Sequence, residues 1–326
     1  MAPVEELRLM AKVARMYYEM GLTQPEIAER LDLSQATISR LLKRAEKEKI
    51  VRITVSQPLG VYGHLEEELK AIYGLKEAIV ADAESDQNED ILHAIGAAAA
   101  YYLETTLKQN EIIGISSWST TLLAVVKAMH SCPRASNARV VQAQGGIGNP
   151  TAEIHAANLT RRLAELVQGK AVFLPAPGVV DSTAMREMFL RDPYVSEAIQ
   201  LLDQVTLALV GIGTIEPSPL LASSGNVFSA QERADLNGLG AVGDVCLRFF
   251  NQNGEPLTTP LDDRVIGINF EQLRRVKRVV GVAGGERKVR PIHAALLGKW
   301  VNVLVIDHYT AEKLLKRMLG RMKDEG

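Results

Sequence analysis

Beyond residue 100 the chain is punctuated by six short runs of β-branched and aliphatic residues, at 112–115, 139–144, 171–174, 205–210, 279–282 and 301–306. The stretches between them, such as 122–130 and 153–167, carry helical periodicity. Runs apolar on both faces and separated by helical crossovers are accommodated by a mainly parallel sheet with helices on both sides. The expected class is therefore α/β, with a Rossmann-like sheet. Ligands of such sheets bind outside the carboxyl ends of the strands. Here those ends run into small residues: Ser116 to Thr121, Gln144-Gly145-Gly146, Pro175-Ala176-Pro177-Gly178, Gly211-Ile212-Gly213, and Ala283-Gly284-Gly285 with Lys288 close behind. One such loop means little, because a tight strand-to-helix turn needs small residues anyway. Five together point to a compact polar ligand. A Ser/Thr loop opening a helix offers hydroxyls and amides to an anion, and a lysine adds charge.

Other chemistries are poorly supported. Gly211-Ile212-Gly213 lacks the third glycine of a dinucleotide fingerprint, and no phosphate-binding Gly-x-x-x-x-Gly-Lys-Ser/Thr occurs. The six histidines (64, 93, 130, 155, 293 and 308) include no His-x-x-x-His pair, so no metal is expected, nor any cofactor. Asp307-His308 follows a strand without the nucleophile elbow of a hydrolase. Glu153 and His155 read as surface or packing residues. Cys132 and Cys246 form no CxxC pair, which suits a reduced cytoplasm. No signal peptide is expected at an N-terminus carrying Glu5 and Glu6. No apolar run reaches the roughly 20 residues of a membrane helix.

The first fifty residues form a different unit. Leu7, Met10, Val13, Ala14, Tyr17 and Met20 recur at helical spacing, with Gly21 as a stop. Thr23-Gln24-Pro25-Glu26 has the form of a capping box opening a short helix that faces Ile27, Ala28 and Leu31 inward. Asp32 supplies the turn, as one of the few residues besides glycine that tolerate a left-handed backbone. Ser34 then caps a third helix, from Gln35 to about Glu48, packed through Ile38, Leu41 and Leu42. That is the layout of a helix-turn-helix, which lays its last helix in the major groove of DNA. The net charge of the whole chain, −2, hides a local excess. Between Ser34 and Arg52 stand Arg40, Lys43, Arg44, Lys47, Lys49 and Arg52 against Glu46 and Glu48, a local charge of +4. Phosphate neutralisation needs such an excess. Expected base contacts are Gln35, Ala36, Thr37, Ser39 and Arg40. Ser34, Lys43 and Arg44 are expected to position on phosphates, with Thr23 and Gln24 also at the DNA. Residues 51–55 read as a strand leaving the unit, and Pro58, Gly60 and Gly63 as the linker. The domains are then 1–56 and 57–326, the second opening with an amphipathic helix from Leu65 to Tyr73, a candidate contact between paired heads.

The ordered motifs carry a resemblance over nearly the whole chain. Leu22-Thr23-Gln24 through Ala28, Ser34 to Arg44 and Ile50 to Ile53 are similar to the head of the SorC family of sugar-responsive transcriptional regulators. Gly114 to Thr121, Leu174 to Pro177, Gly211 to Gly213, Gly240-Ala241-Val242-Gly243-Asp244 and Ala283 to Gly285 with Lys288 resemble its later motifs in order. The chain departs from the pattern at Asp32, where many helix-turn-helices have glycine, and at Ser119, where relatives commonly have glycine in the phosphate loop. The resemblance implies an effector domain similar in fold to sugar-phosphate isomerases and deaminases, assembled into tetramers on DNA. It implies that Ser119, Thr120, Thr121 and Lys288 hold the phosphate of a phosphorylated sugar or polyol. Asp244 would then accept from sugar hydroxyls, and Ser117, Gln144, Gly145 and Ala176 complete the site.

The expected function is thus a cytoplasmic, homo-oligomeric regulator that binds double-stranded operator DNA under control of that effector. The rival is a sugar-phosphate isomerase or deaminase with an appended DNA-binding head, with Asp244 and Lys288 as base and electrophile. Against it, no paired carboxylate or catalytic histidine falls in the loops. A pure interaction scaffold would bind neither specific DNA nor a small ligand.

Overall fold

The computed structural model describes residues 4–51 and 60–324, apart from the side chains of Thr151 and of residues 318–324. The strand expected at 51–55 and the linker residue Pro58 lie outside the described residues. The chain divides into two compact units, Met1–Pro58 and Leu59–Gly326.

The first unit holds three helices, Val4–Tyr18, Gln24–Leu31 and Gln35–Lys47. Their apolar stripes meet in one small core of Met10, Val13, Ile27, Ile38, Leu41 and Leu42 with their neighbours. The first helix ends at Tyr18 rather than Met20, which is 56% exposed. Gly21 adopts a φ of 69° in the turn that follows. Asp32 is left-handed (φ 50°, ψ 46°), and Leu33 N–H closes back on Ala28 O at 3.0 Å. Ser34 Oγ accepts from Thr37 N–H at 3.2 Å and so caps the third helix. At the second helix the Glu26 carboxylate accepts from both the amide (2.8 Å) and the hydroxyl (2.7 Å) of Thr23. These bonds hold the Glu26 carboxyl below its usual range.

In the second unit nine strands are described: β1 Glu77–Ala81, β2 Ile112–Ile115, β3 Arg139–Gln142, β4 Lys170–Val172, β5 Leu207–Gly211, β6 Ala241–Val245, β7 Arg248–Asn251, β8 Arg278–Val282 and β9 Val303–Asp307. Seven form one sheet in the order β1-β9-β8-β5-β2-β3-β4, parallel throughout, while β6 and β7 make a separate antiparallel hairpin. Successive side chains alternate between the two faces. Ala208, Val210, Leu304 and Ile306 join one core, and Leu207, Leu209, Val303 and Val305 the other. Helices Gly63–Tyr73, Val289–Leu297 and His308–Asp324 cover the first face; Asn88–Thr106, Thr120–Ala128 and Pro150–Leu166 cover the second. The helix Gly63–Tyr73 sinks Leu65, Leu69 and Tyr73 into this core. The apolar face expected of this helix is therefore packed within the domain. No helix among the described residues is long and apolar enough to cross a membrane.

Candidate functional site

The chain runs from β2 outward to β3 and β4, whereas β5 sits on the other side of β2 and leads to β8 and β9. Neighbouring strands whose connections depart in opposite directions leave a crevice between their carboxyl ends. A cavity of about 280 Å³ occupies that place. The loop after β2 and the loop after β5 form its floor, and the Gly284-Gly285 turn after β8 and the tip of the β6–β7 hairpin close its sides.

Ser119 is the N-cap of the helix Thr120–Ala128, accepting from Leu122 N–H at 3.2 Å. The amides of Thr120 and Thr121 follow in the first turn, where a helix leaves its donors without intrahelical acceptors. Gly211 explains why a serine fits here: a Cβ on that residue would stand 3.0 Å from Ser119 Oγ. The second glycine of the same loop, Gly213, is fixed by Asp244. Their backbones exchange hydrogen bonds (2.9 and 3.3 Å), and a side chain on Gly213 would run into the Asp244 carboxylate.

Asp244 is almost wholly buried, and its carboxyl is pushed up to about 6 by desolvation, against the opposing effects of Leu247 N–H on its Oδ2 (2.9 Å) and of the Lys288 charge. That amide comes from a tight turn in which Cys246 (φ 53°) and Leu247 (φ 64°) are both left-handed. Burial, with Asp244 adding to it, pushes the Cys246 thiol up to about 12. Lys288 ends a short 3-10 turn, Glu286–Lys288, and precedes the helix Val289–Leu297. Burial lowers its ammonium below the usual lysine range, with Asp244 opposing. A half-buried cation beside a carboxylate of raised pKa, facing hydroxyls and a helix start, can hold a small ligand that is anionic at one end and hydroxylated at the other.

In the helical unit, Gln35, Ala36 and Arg40 are exposed on the third helix, with Thr37 and Ser39 half-exposed. Lys43 continues that face, and Ser34 and Thr37 share a hydroxyl contact of 2.9 Å in the cap. Arg44 is paired with Glu6 of the first helix, so it ties the unit together instead of projecting freely.

Residues 59–316 match the family described as "Putative sugar-binding domain", and residues 10–47 match "Sigma-70, region 4", a helix-turn-helix. The deoxyribonucleoside regulator of Bacillus subtilis (strain 168) is 35% identical over 311 residues, covering 95% of this chain and 98% of its own. The sorbitol operon regulator of Klebsiella pneumoniae is 32% identical over 319 residues, 96% of this chain and 99% of its own. The full-length crystal structure of SorC from Klebsiella pneumoniae superposes with a TM-score of 0.72 at 30% identity, over 95% of this chain and 98% of that one. The chain belongs to the SorC family of sugar-responsive transcriptional regulators. As a SorC-family protein it is a regulator, and the relatives it matches are regulators, which does not support the reading as an isomerase or deaminase.

Six of the effector residues expected in this SorC-family chain converge on the cavity: Ser119, Thr120, Thr121, Gln144, Asp244 and Lys288. Three lie one layer behind it. Ser117 donates to Gln144 O (2.8 Å), Gly145 O accepts from Trp118 Nε1 (2.9 Å), and Ala176 O accepts from Ile147 N–H (3.1 Å). All three lace the loops after β2, β3 and β4 to one another. The 175–178 loop misses the cavity because β4 is the edge strand, two positions from β2. The structure adds Ser116, Trp118, Thr214, Asn88 and Arg287 to the wall. Ser116 and Trp118 sit inside the motif already noted, and Arg287 inside its basic cluster. Asn88 opens a helix that sequence spacing left unconnected to the strand-end loops.

Proposed function

We propose that this SorC-family regulator binds a phosphorylated sugar or polyol in the β2/β5 crevice, with occupancy altering the affinity of its helix-turn-helix for operator DNA. The observation that carries the reading is the meeting of Ser119, Thr120 and Thr121 with Lys288 on one small cavity. Short hydroxyls, first-turn amides and a flexible ammonium suit the several acceptor oxygens of a phosphate dianion. Asp244 and Gln144 face the remainder of the ligand, where carboxylate and amide groups recognise hydroxyls. Gln35, Ala36, Thr37, Ser39 and Arg40 read base edges, while Ser34 and Lys43 meet phosphates, with Thr23 and Gln24 beside them. The protein acts in the cytoplasm, where its DNA is, as a homo-oligomer and in full assembly a tetramer. One head buries too little to hold a specific site, and paired heads multiply affinity. The helix Thr183–Arg191 buries none of its residues and exposes Met185 and Met188 (39% and 72%), with Tyr194 (74%) just beyond, a surface suited to a second copy.

A thermal-shift screen of pentose, hexose and polyol phosphates beside their unphosphorylated forms tests the ligand. Relatives are named for deoxyribonucleosides and for sorbitol; combined with the phosphate assignment proposed here, that puts 2-deoxyribose 5-phosphate and sorbitol 6-phosphate first on the panel. A ligand at 100 times its Kd stabilises the fold by about 2.7 kcal/mol. Equal shifts from sugar and sugar phosphate would sink the phosphate assignment. A monomer by light scattering at micromolar concentration, with and without DNA, would sink the oligomer.

A further inference from the structure

Asp307-His308, which matched no catalytic pattern, sits where the effector cavity and the start of the second unit come together. Asp307 is fully buried at the end of β9. Its Oδ2 accepts from Thr310 Oγ1 (2.6 Å) and from Gly285 N–H (3.3 Å), and Thr310 Oγ1 accepts from the same Gly285 N–H at 2.7 Å. Gly285 and its neighbour Gly284 line the cavity, and Gly284 packs so closely on Asp307 that no side chain fits between them. The turn that presents Lys288 is thus bolted to the end of β9.

The next residue continues outward. His308 stacks on Tyr62 with ring centroids 4.8 Å apart and planes within 3°. Tyr62 O–H donates to Asp82 Oδ1 at 2.7 Å, and His308 Nδ1 lies 3.8 Å from the same oxygen. Asp82 and His308 follow β1 and β9, whose last residues, Ala81 and Asp307, are register partners. Gly60, left-handed at φ 78°, rests on the same carboxylate, where a Cβ would come within 2.8 Å of Oδ2. Gly60 directly follows Leu59, the first residue of the second unit, so the cluster sits where the sensor begins. The helix that starts at Gly63 is tied at its far end too, where Tyr73 O–H and His293 Nδ1 lie 2.9 Å apart, and His293 belongs to the helix that follows Lys288.

We propose that Tyr62, Asp82 and His308 form the joint through which occupancy of the effector cavity reaches the segment leading to the DNA-binding unit. The inference rests on the effector reading above. Ligand drawn onto Lys288 and the Gly284-Gly285 turn moves the Asp307–Thr310 anchor, His308 moves with it, and the stacked Tyr62 carries the shift to Gly60. Coupling of this kind is carried by contiguous packed and hydrogen-bonded groups, and it is measured as a change of one ligand's affinity by the other. None of the three residues lies on the cavity wall, so they position the exit of the signal without touching ligand.

The test uses the full-length protein and a DNA fragment it selects from a random-sequence pool. Its affinity for that fragment is measured with and without a saturating probe, 2-deoxyribose 5-phosphate or sorbitol 6-phosphate, whichever raises the wild-type melting temperature further. The wild type is expected to show a ratio in the range of about 5- to 150-fold. Tyr62→Ala, which removes both the stack and the hydrogen bond, should bring that ratio to within about twofold of unity, whereas Tyr62→Phe and Asp82→Asn should give intermediate values. Calorimetric affinity for the probe should remain within about threefold of wild type in all three. A wild-type ratio retained by all three variants overturns the joint while leaving the effector reading intact. Loss of probe binding in Tyr62→Phe and Asp82→Asn also overturns it, because the cluster would then merely support the cavity. A wild type that binds the probe without any change in DNA affinity overturns the effector reading, and the joint with it.

Discussion

The two units of this regulator build their working surfaces in opposite ways. In the helical unit the caps and the turn are placed by neighbours within a few residues: Ser34 by Thr37, Thr23 by Glu26, the turn by Asp32 alone. Those groups point outward over a core of modest size. In the sensor the site is turned inward and assembled from Ser119, Gln144, Gly213, Asp244 and Lys288, which span some 170 positions of chain and are brought together by the order of the strands. A locally built surface should lose function in graded, separable steps. A pocket assembled across the sheet should lose it abruptly.

The sharpest way to break that comparison is Lys288→Ala. Lys288 is half-buried in the unliganded protein, and removing a charge partner that the bound ligand encloses costs about 2–5 kcal/mol, or roughly 30- to 5,000-fold in affinity. Calorimetry with the tightest phosphorylated ligand should show that loss with DNA affinity unchanged. Arg287→Ala, on the same wall but exposed, should cost about 1 kcal/mol or less. Equal losses from both would reduce the pocket to a patch of surface charge.

Asp244→Asn exposes the cost of the inward arrangement. The Asp244 carboxyl titrates near 6 in the fold against 3.8 as its ordinary value, so the folded state prefers it neutral. The stability this group contributes is complete below pH 4 and is lost as the pH rises through 6. The unliganded asparagine variant should therefore be more stable than wild type by about 2–3 kcal/mol at pH 8 and nearly equal to it at pH 4, at about 1.36 kcal/mol per pH unit. Its ligand affinity should nonetheless fall. Calorimetric unfolding across pH 4–8 checks the sign, and a variant less stable than wild type at pH 8 would contradict it.

On the helical unit the steps are smaller. Arg40→Ala should cost about 1–3 kcal/mol at one operator position and relax specificity there, whereas Lys43→Ala should weaken all sequences alike and flatten the salt dependence by about one unit. Binding titrations on single-position operator variants at several salt concentrations distinguish the two. Ser34→Ala, which removes the cap, should destabilise the DNA-free unit by about 1 kcal/mol, read as an earlier melting transition. A loss of several kcal/mol there would show that this unit, too, depends on a network.

The same contrast decides what could be read from sequence. The three helices, the left-handed Asp32 and the Ser34 cap follow from short-range chemistry and stand where spacing puts them. Six strands of the parallel sheet were legible from their β-branched runs. The edge strand β1 was not, because Glu77-Ala78-Ile79-Val80-Ala81 holds only two β-branched residues set between alanines, and neither was the β6–β7 hairpin, whose turn uses Cys246 and Leu247 in place of the usual Asn-Gly. Ser119, Thr120, Thr121, Asp244 and Lys288 could be named in advance from loop chemistry and family resemblance. Which loop stops short of the cavity depended on strand order, and strand order is not written in any local pattern: Ala176 was assigned to the site and sits behind it. Arg44 carries a basic side chain on the expected face, yet Glu6, thirty-eight residues earlier, claims it.

The strand order also has a temporal side. β9 is the last strand described, yet it lies between β1 and β8 and is the strand to which β1 pairs. A ribosome therefore finishes the three-helix unit long before residue 307 exists, and domains fold as they emerge. Until β9 arrives, β1 has no neighbour and β8 presents an open edge, the kind of surface that recruits foreign strands. A chain halted before residue 303 would carry a complete three-helix unit, an unfinished sheet and no Asp307 to hold the Gly284-Gly285 turn: a head without a sensor, prone to aggregate and deaf to its signal. For this molecule the final strand is what turns a binder into a switch.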